Sequence, residues 1–432
     1  MYYITMTTNR ICLKDLESMP PIVKTAKKGK YTIRNLQPEY LPNANYNMRI
    51  YRSVIENEHG EIICIAPAKS LSDDVFKQVI STGDYESNEI RITEIIEGTM
   101  INLFWDADKW EIATKRSVGS NCHFFRTKYF ADLPEPEQTT FRQMFFDGLN
   151  GEISSSKEPH AGSLDDFANS INLEKNNCYS FVVQHPANHI VANIGEPAVY
   201  LVSCYEILKR DADDTQYRYV DVHDIKHVFE GTRVKFPRFY NEMCERNATI
   251  ENAFLQGENR KYLVGQETSI IDNIVACMQN PLNSFAIPGV MVTHIPTGMR
   301  MSYPNLAYAE MKLLRGNNPN LHYQYLVLRK INKVDMFVHH FPQYRAHFAR
   351  FREHFDTFVN RIHRLYLNVH VLKISKLDEV EDKRDKYHIE KLHYEHYIPA
   401  LKEFKKMPTD TKPKITRKMV IQYLDSENVM AL

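Results

Sequence analysis

Seven cysteines, at positions 12, 64, 122, 178, 204, 244 and 277, are the thiols that could ligate a metal or close disulfides. Their number is odd and none stands in a CxxC pair, which argues against both a zinc site and a disulfide framework and points to a reducing compartment. Lysine and arginine offer a different chemistry, the neutralisation of phosphate. They gather in KTAKKGKYTIR near the start, around LRKINK, and in KEFKKMPTDTKPKITRK near the end. Each run reads either as a polyanion contact or as a solvated lysine face.

Such residues act only where a fold holds them. The chain has 432 residues, enough for two or three domains with substantial cores. Charged residues make up 25% and the apolar set 43%, an ordinary globular composition. Lys plus Arg equals Asp plus Glu at 54 each, so no global positive field drives indiscriminate binding to nucleic acid, and any contact must be local. MYYITMTTNRICLKDLE lacks the basic and apolar regions of a signal peptide, and no run of eighteen apolar residues occurs. The expectation is a soluble, intracellular protein without membrane partners.

From Met48 to about Arg126 the pattern is a meander of short strands: MRIYRSVIEN, EIICIAPAKSL, EIRITEIIEGTMINLFWD and WEIATKRSV, with turns at His59–Gly60 and at 107–109. A helix is expected around TTFRQMFFDGL and a surface loop over GEISSSKEPHAGSLDD. Strand signals return in CYSFVVQHP, HIVANIG, PAVYLVSCYEIL and FAIPGVMVTHIPTGMRMSY, while residues 207–280 mix charge with helical spacing. Beyond about residue 331, Phe337, Phe341, Tyr344, Phe348, Phe351, Phe355, Phe358, Ile362 and Leu365 recur at steps of three and four, one apolar helix face beginning near Pro342. Core packing against KYHIEKLHYEHYIPALKEFKK and TRKMVIQYL, the latter capped by Thr416, explains that stripe, with a partner surface as the alternative.

The ordered series of segments between residues 48 and 330 resembles the covalent nucleotidyltransferase superfamily, and within it the RNA ligases like the tRNA-repairing ligase of T-even bacteriophages. EGTMINLFWD, SFVVQHPANHIV and LLRGNNPNLHYQYLVLRK look like the ligase-related proteins of large nucleocytoplasmic DNA viruses, in which a helical C-terminal domain also follows. The resemblance implies an α+β fold: an N-terminal segment 1–47, an antiparallel ligase-like domain 48–330 with an uncertain insertion at 207–280, and a helical domain 331–432.

It also implies a chemistry that the residues have lost. In the ligases a lysine opening a KxDG or KxEG pattern attacks the α-phosphate of ATP or GTP with metal assistance. Here IIEG stands in that place, so Ile95 replaces the nucleophile while Glu97 and Gly98 remain. Val182 and Pro288 fall where the ligases carry glutamates, and Ser302 where they carry one of two lysines, the other being Arg300. Arg116 takes a glycine position. Arg52, Lys69 and Lys115 retain polyanion-facing places, so Arg52, Lys69, Glu97, Gly98, Lys115, Arg116 and Arg300 are the candidate contacts for RNA or a nucleotide. The alternative is ordinary surface cations on a β-sheet. His185 reads as a structural residue at a strand end.

Three functions stay open: a catalytically silent protein holding an RNA end, cap or nucleotide alongside other viral proteins; an assembly protein of a virus particle; and an active ligase with a displaced lysine. No cofactor is expected except ATP or GTP with Mg in the third case. The expected location is host cytoplasm or virion.

Overall fold

A computed structural model of the protein describes residues 9–12, 23–43, 46–80, 89–124, 139–154, 163–211, 214–240, 275, 278–279, 285–316, 318, 320–406 and 412–427. The chain divides into two compact units, Met1–Phe124 with Pro136–Leu313, and Phe125–Glu135 with Leu314–Leu432. Cys244 and Cys277 lie outside the described residues, and the five described cysteines are free thiols.

The fold is α+β. In the first unit three antiparallel sheets form from runs whose apolar residues alternate. The four-stranded sheet has the order β2 (Val23–Lys28), β3 (Tyr31–Leu36), β4 (Val54–Glu56), β5 (Ile62–Ile65). The three-stranded sheet joins β6 (Ile90–Glu94) to β12 (Gly289–His294) and β13 (Met299–Pro304). The six-stranded sheet has the order β1 (Asn9–Ile11), β11 (Thr215–Val220), β10 (Ala198–Lys209), β9 (Asn177–Gln184), β7 (Thr99–Asp106), β8 (Lys109–Ala113).

The six-stranded sheet is a middle layer, which explains why CYSFVV is buried throughout. Cys178 on β9 packs into the core shared with Ile55, Ile63 and Ile65 of the four-stranded sheet. Tyr179, Phe181 and Val183 point the other way, against Phe145 and Leu164. Those two residues come from helices α1 (Phe141–Asn150), capped by the Thr140 side chain, and α2 (Leu164–Ser170), which opens with a Ser163–Asp166 capping box. The second helix begins inside the segment expected to be loop and runs past its end.

Three strand expectations fail for identifiable reasons. EIRITEIIEGTMINLFWD breaks at 95–98, where the Glu97 carboxylate gathers backbone amides, and its two halves β6 and β7 join different sheets. Residues 46–52 are helical turns, and β4 starts only at Val54. Ile50 and Tyr51 are both buried, a pattern that strict two-residue alternation cannot produce. HIVANIG forms no strand, because three of its consecutive N–H groups converge on one carboxylate, as described below. The helical spacing seen after residue 207 gives way in part to the β10–β11 hairpin, in which Tyr217 and Tyr219 alternate inward.

After α3 (Leu306–Arg315), the second unit is helical: α4 (Leu321–Lys330), α5 (Val334–His340), α6 (Arg345–Tyr366), α7 (Lys383–Lys391), α8 (Ile398–Lys406) and α9 (Arg417–Ser426). Pro342 starts a 3₁₀ turn that leads into α6. Phe337, Phe341, Phe348, Phe351, Phe355 and Ile362 are buried, and Phe337 stacks on Phe348 with centroids 4.5 Å apart. The stripe is therefore core. Thr416 caps α9 by accepting from the Met419 N–H. Among the described residues no helix is long and apolar enough to cross a membrane.

Candidate functional site

Four of the cations singled out above meet where strand ends of the three sheets converge. Arg52 lies in the turn before β4, Lys69 after β5, Lys115 after β8, and Arg300 on β13. Their charges feel one another. Burial, reinforced by the charge of Arg300, draws the Arg52 guanidinium down to about 10. Burial draws the Lys69 ammonium down to about 8, helped by Arg52, Lys115 and Arg300. Lys115 is lowered by burial, then by Arg116 and Arg52. None of the groups acting on Lys69 or Lys115 is a carboxylate. Like charges such as Lys69 and Lys115, on which no carboxylate acts among the described residues, store repulsion that a bound anion releases.

The backbone around this cluster is fixed by groups that sequence reading missed. Asn35 on β3 donates from its side-chain amide to the carbonyls of both Arg52 (2.9 Å) and Lys115 (3.0 Å). Ser53 Oγ donates to the same Lys115 carbonyl at 3.2 Å. The signal for Asn35 was its parity: it follows Tyr31 and Ile33 on the core-facing side of a strand, where a polar residue needs a reason. Arg300 is buried and donates to the carbonyls of Ala68 (2.7 Å) and Pro67 (3.3 Å), tying down the segment that carries Lys69. Lys69 N–H in turn donates to the Arg49 carbonyl at 3.1 Å. Arg300 is thus engaged by backbone carbonyls, while Arg52, Lys69 and Lys115 are half-buried.

Glu97 sits elsewhere in the unit and is fully engaged. It is 5% exposed and accepts from the N–H groups of Ile190, Val191 and Ala192 at 2.5 to 3.1 Å, and from Tyr308 Oη at 2.7 Å. Three successive amides aimed at one anion require a nest-like backbone, incompatible with an extended strand. The same loop is pinned twice more. Asn188 donates to Thr99 Oγ1 at 2.8 Å. His185 accepts the Ala187 N–H at Nδ1, so its Nε2 carries the proton and donates to Asp147 Oδ2 at 3.1 Å. Burial keeps that imidazole below its ordinary pKa, and both side chains are buried, which makes the pair a structural clamp.

Gly98 follows with φ +154°, and a Cβ there would collide with the Val183 carbonyl and Val182 Cγ1 (2.7 Å). Gly98→Ala is expected to lose about 3 kcal/mol of stability, read as a shifted denaturant midpoint with unchanged slope. A loss below about 1 kcal/mol would show that β7 and β9 can separate there.

At the positions where the resemblance implies reactive groups, the structure has none. Ile95 donates its N–H to the Gly289 carbonyl at 2.9 Å and offers an aliphatic branch. Val182 is buried on β9. Pro288 uses its carbonyl to accept from Asn305 N–H, 2.9 Å. Ser302 lies opposite Met291 in the β12–β13 ladder. Arg116 is exposed in a turn whose N–H groups at 116 and 117 donate to Thr114 Oγ1. Among the described residues no group of three His, Cys, Asp or Glu side chains is placed to hold a metal ion. The cluster fits a phosphate; Mg would face only positive charge there.

No protein-family model matches the chain, and neither does any curated protein sequence. Among solved structures it is similar to an RNA ligase of Naegleria gruberi, a lysine-to-alanine variant with ATP and Mn (10% identity, TM-score 0.32, 67% of this chain and 76% of that one). It is similar also to a putative ATP-dependent DNA ligase from Aquifex aeolicus (10%, TM-score 0.37, 91% and 79%) and to an archaeal ATP-dependent RNA ligase (10%, TM-score 0.38, 96% and 93%).

Proposed function

We propose that this chain is a catalytically silent, ligase-like protein that holds the phosphate of an RNA end, a cap or a nucleotide among Arg52, Lys69 and Lys115, within a viral complex. The observation that carries the reading is that Asn35 ties the backbones of Arg52 and Lys115 together beside Lys69, and that among the described residues burial and neighbouring cations, but no carboxylate, act on the two ammonium groups. A phosphate would restore the charge balance through charge-assisted hydrogen bonds. Silence follows from Ile95, since a hydrocarbon branch has no lone pair for phosphorus. The viral setting is supported by the resemblance of EGTMINLFWD, SFVVQHPANHIV and LLRGNNPNLHYQYLVLRK.

Fluorescence polarisation with short 5′-phosphorylated and capped RNAs tests the site. Wild-type protein should bind, and the Arg52→Ala/Lys69→Ala variant should bind at least tenfold more weakly, about 1.4 kcal/mol or more. Equal affinities would end the proposal. Incubation with radiolabelled ATP or GTP and Mg, followed by denaturing electrophoresis, tests silence, and a labelled band would refute it.

A further inference from the structure

The lysine run near the start of the chain has no part in the site so far. β2 is the outer strand of the four-stranded sheet, and Lys24, Lys27 and Lys28 on it are exposed. Among the described residues none of the three has an ion-pair or hydrogen-bond partner for its ammonium. Lysines on an outer strand deter edge-to-edge pairing and need no ligand for that. The register sets this run apart. Lys24 lies opposite Asn35 and Lys28 opposite Tyr31, whereas Lys27 lies opposite Thr32. Opposed residues share a face of the sheet, so Lys24 and Lys28 share the side of Asn35, which packs inward at Tyr31 and Ile33, and they reach solvent along the outer edge of β2, while Lys27 takes the other side. Asn35 is the residue whose amide ties the Arg52 and Lys115 carbonyls together. Lys24 therefore stands one strand away from the backbone of the cation cluster.

The background makes this concentration of charge notable. Residues 1–313 contain 32 Lys and Arg against 40 Asp and Glu, yet β2 and β3 themselves carry no acid between Lys24 and Lys28, and Asp106, which accepts from the Tyr31 hydroxyl opposite Lys28, marks the far end. Lys30 pairs with Asp106 at 2.7 Å, and Asp108 and Glu58 act on it, so negative charge begins there.

We propose that Lys24 and Lys28 continue the phosphate site as a track for the backbone of a single-stranded nucleic acid whose terminal phosphate lies among Arg52, Lys69 and Lys115. This rests on the function proposed above and extends it from a phosphate to a strand. Four residues of β-strand span about 13 Å. That length serves more than one phosphate of a single strand. A regular series of charges suits a polynucleotide; an acidic peptide is the competitor that the test must separate.

The experiment compares a 5′-phosphorylated dinucleotide with a 5′-phosphorylated ten-nucleotide RNA by polarisation, on wild-type full-length protein, Lys24→Glu/Lys28→Glu and Lys27→Glu. These side chains are exposed, and circular dichroism checks that the variants fold. Wild type should bind the ten-mer at least tenfold more tightly than the dinucleotide. Lys24→Glu/Lys28→Glu should erase that advantage while leaving dinucleotide affinity within twofold, and should flatten the salt dependence by about 1.4, from roughly 0.7 per lost contact. Lys27→Glu should cost less than threefold. Ten-mer binding unchanged in Lys24→Glu/Lys28→Glu overturns the track and leaves the phosphate site standing. Failure of wild type to bind the dinucleotide overturns the site itself, and the anchored track with it. Equal losses in the Lys27→Glu protein, or polyglutamate competing as well as RNA, overturn the assignment of face or of ligand.

Discussion

Glu97→Ala should lower the melting temperature by about 10 °C, because its carboxylate is buried and gathers several donors. Its four donors, three backbone amides and the Tyr308 hydroxyl, are brought to one buried point. A hydrogen bond to a charged group contributes about 1.5–3 kcal/mol, and each buried donor left unpaired costs about 1–3 kcal/mol. These terms overlap, since the loop will relax and admit water, so a net loss of about 4 kcal/mol is expected. At about 2–4 °C per kcal/mol for a body of this size, the shift is near 10 °C. Glu97→Gln should fall between, because its amide oxygen still accepts from two donors while its NH₂ group faces a third. Differential scanning calorimetry measures both. A shift under about 2 °C for the alanine variant would mean that residues 190–192 find other acceptors and that Glu97 does not organise the loop.

The same residue shows what the chain made legible and what it hid. Glu97 and Gly98 stand out in IIEG as an acid and a glycine within an apolar run, and both prove to be structurally demanding positions at the break between β6 and β7. Their purpose was hidden, because the amides that Glu97 binds lie more than ninety residues away and backbone N–H groups leave no trace in a sequence. Local periodicity made the sheets, the α1 helix and the aromatic core of the second unit readable, since each follows from neighbours along the chain. Where tertiary demands overrode periodicity, as in the turns of 46–52 and the loop after His185, the reading failed.

Charge was hidden in another way. The net value of zero conceals an excess of acid in residues 1–313 and an excess of base in residues 314–432, where 22 Lys and Arg face 14 Asp and Glu. An average over the chain cannot reveal that a unit rich in acid gathers four cations at one place. Only the register of β2 on β3 and the bonds of Asn35 show which lysines in the first basic run adjoin that place.

The second large effect concerns the repulsion among those cations, and its sign is fixed by the direction of the Lys69 shift. An ordinary lysine titrates at 10.5, and in the folded protein Lys69 is drawn down to about 8 by burial and by its cationic neighbours. Between these values the unfolded chain binds more protons than the folded one, so stability rises with pH over that window. Below about pH 8 both states are charged and the full penalty is present. Discounted for the solvent that reaches this half-buried ammonium, the penalty is about 1–2 kcal/mol. Lys69→Met should therefore raise the melting temperature at pH 7 by about 3 °C, and the gain should vanish by about pH 10.5. Taking the difference between the two proteins cancels Lys115, the tyrosines and every other group that titrates alike in both. Binding should move the opposite way: Lys69→Met loses at least tenfold in affinity for a 5′-phosphorylated RNA at pH 7, and wild-type affinity declines as pH rises above about 8, because the bound phosphate requires the charged amine. A stability gain purchased by a binding loss is the signature of a charge kept for a ligand. If Lys69→Met is less stable than wild type at pH 7, or the difference is the same at pH 7 and 10.5, Lys69 is packing its aliphatic stem and the cluster is not an anion site.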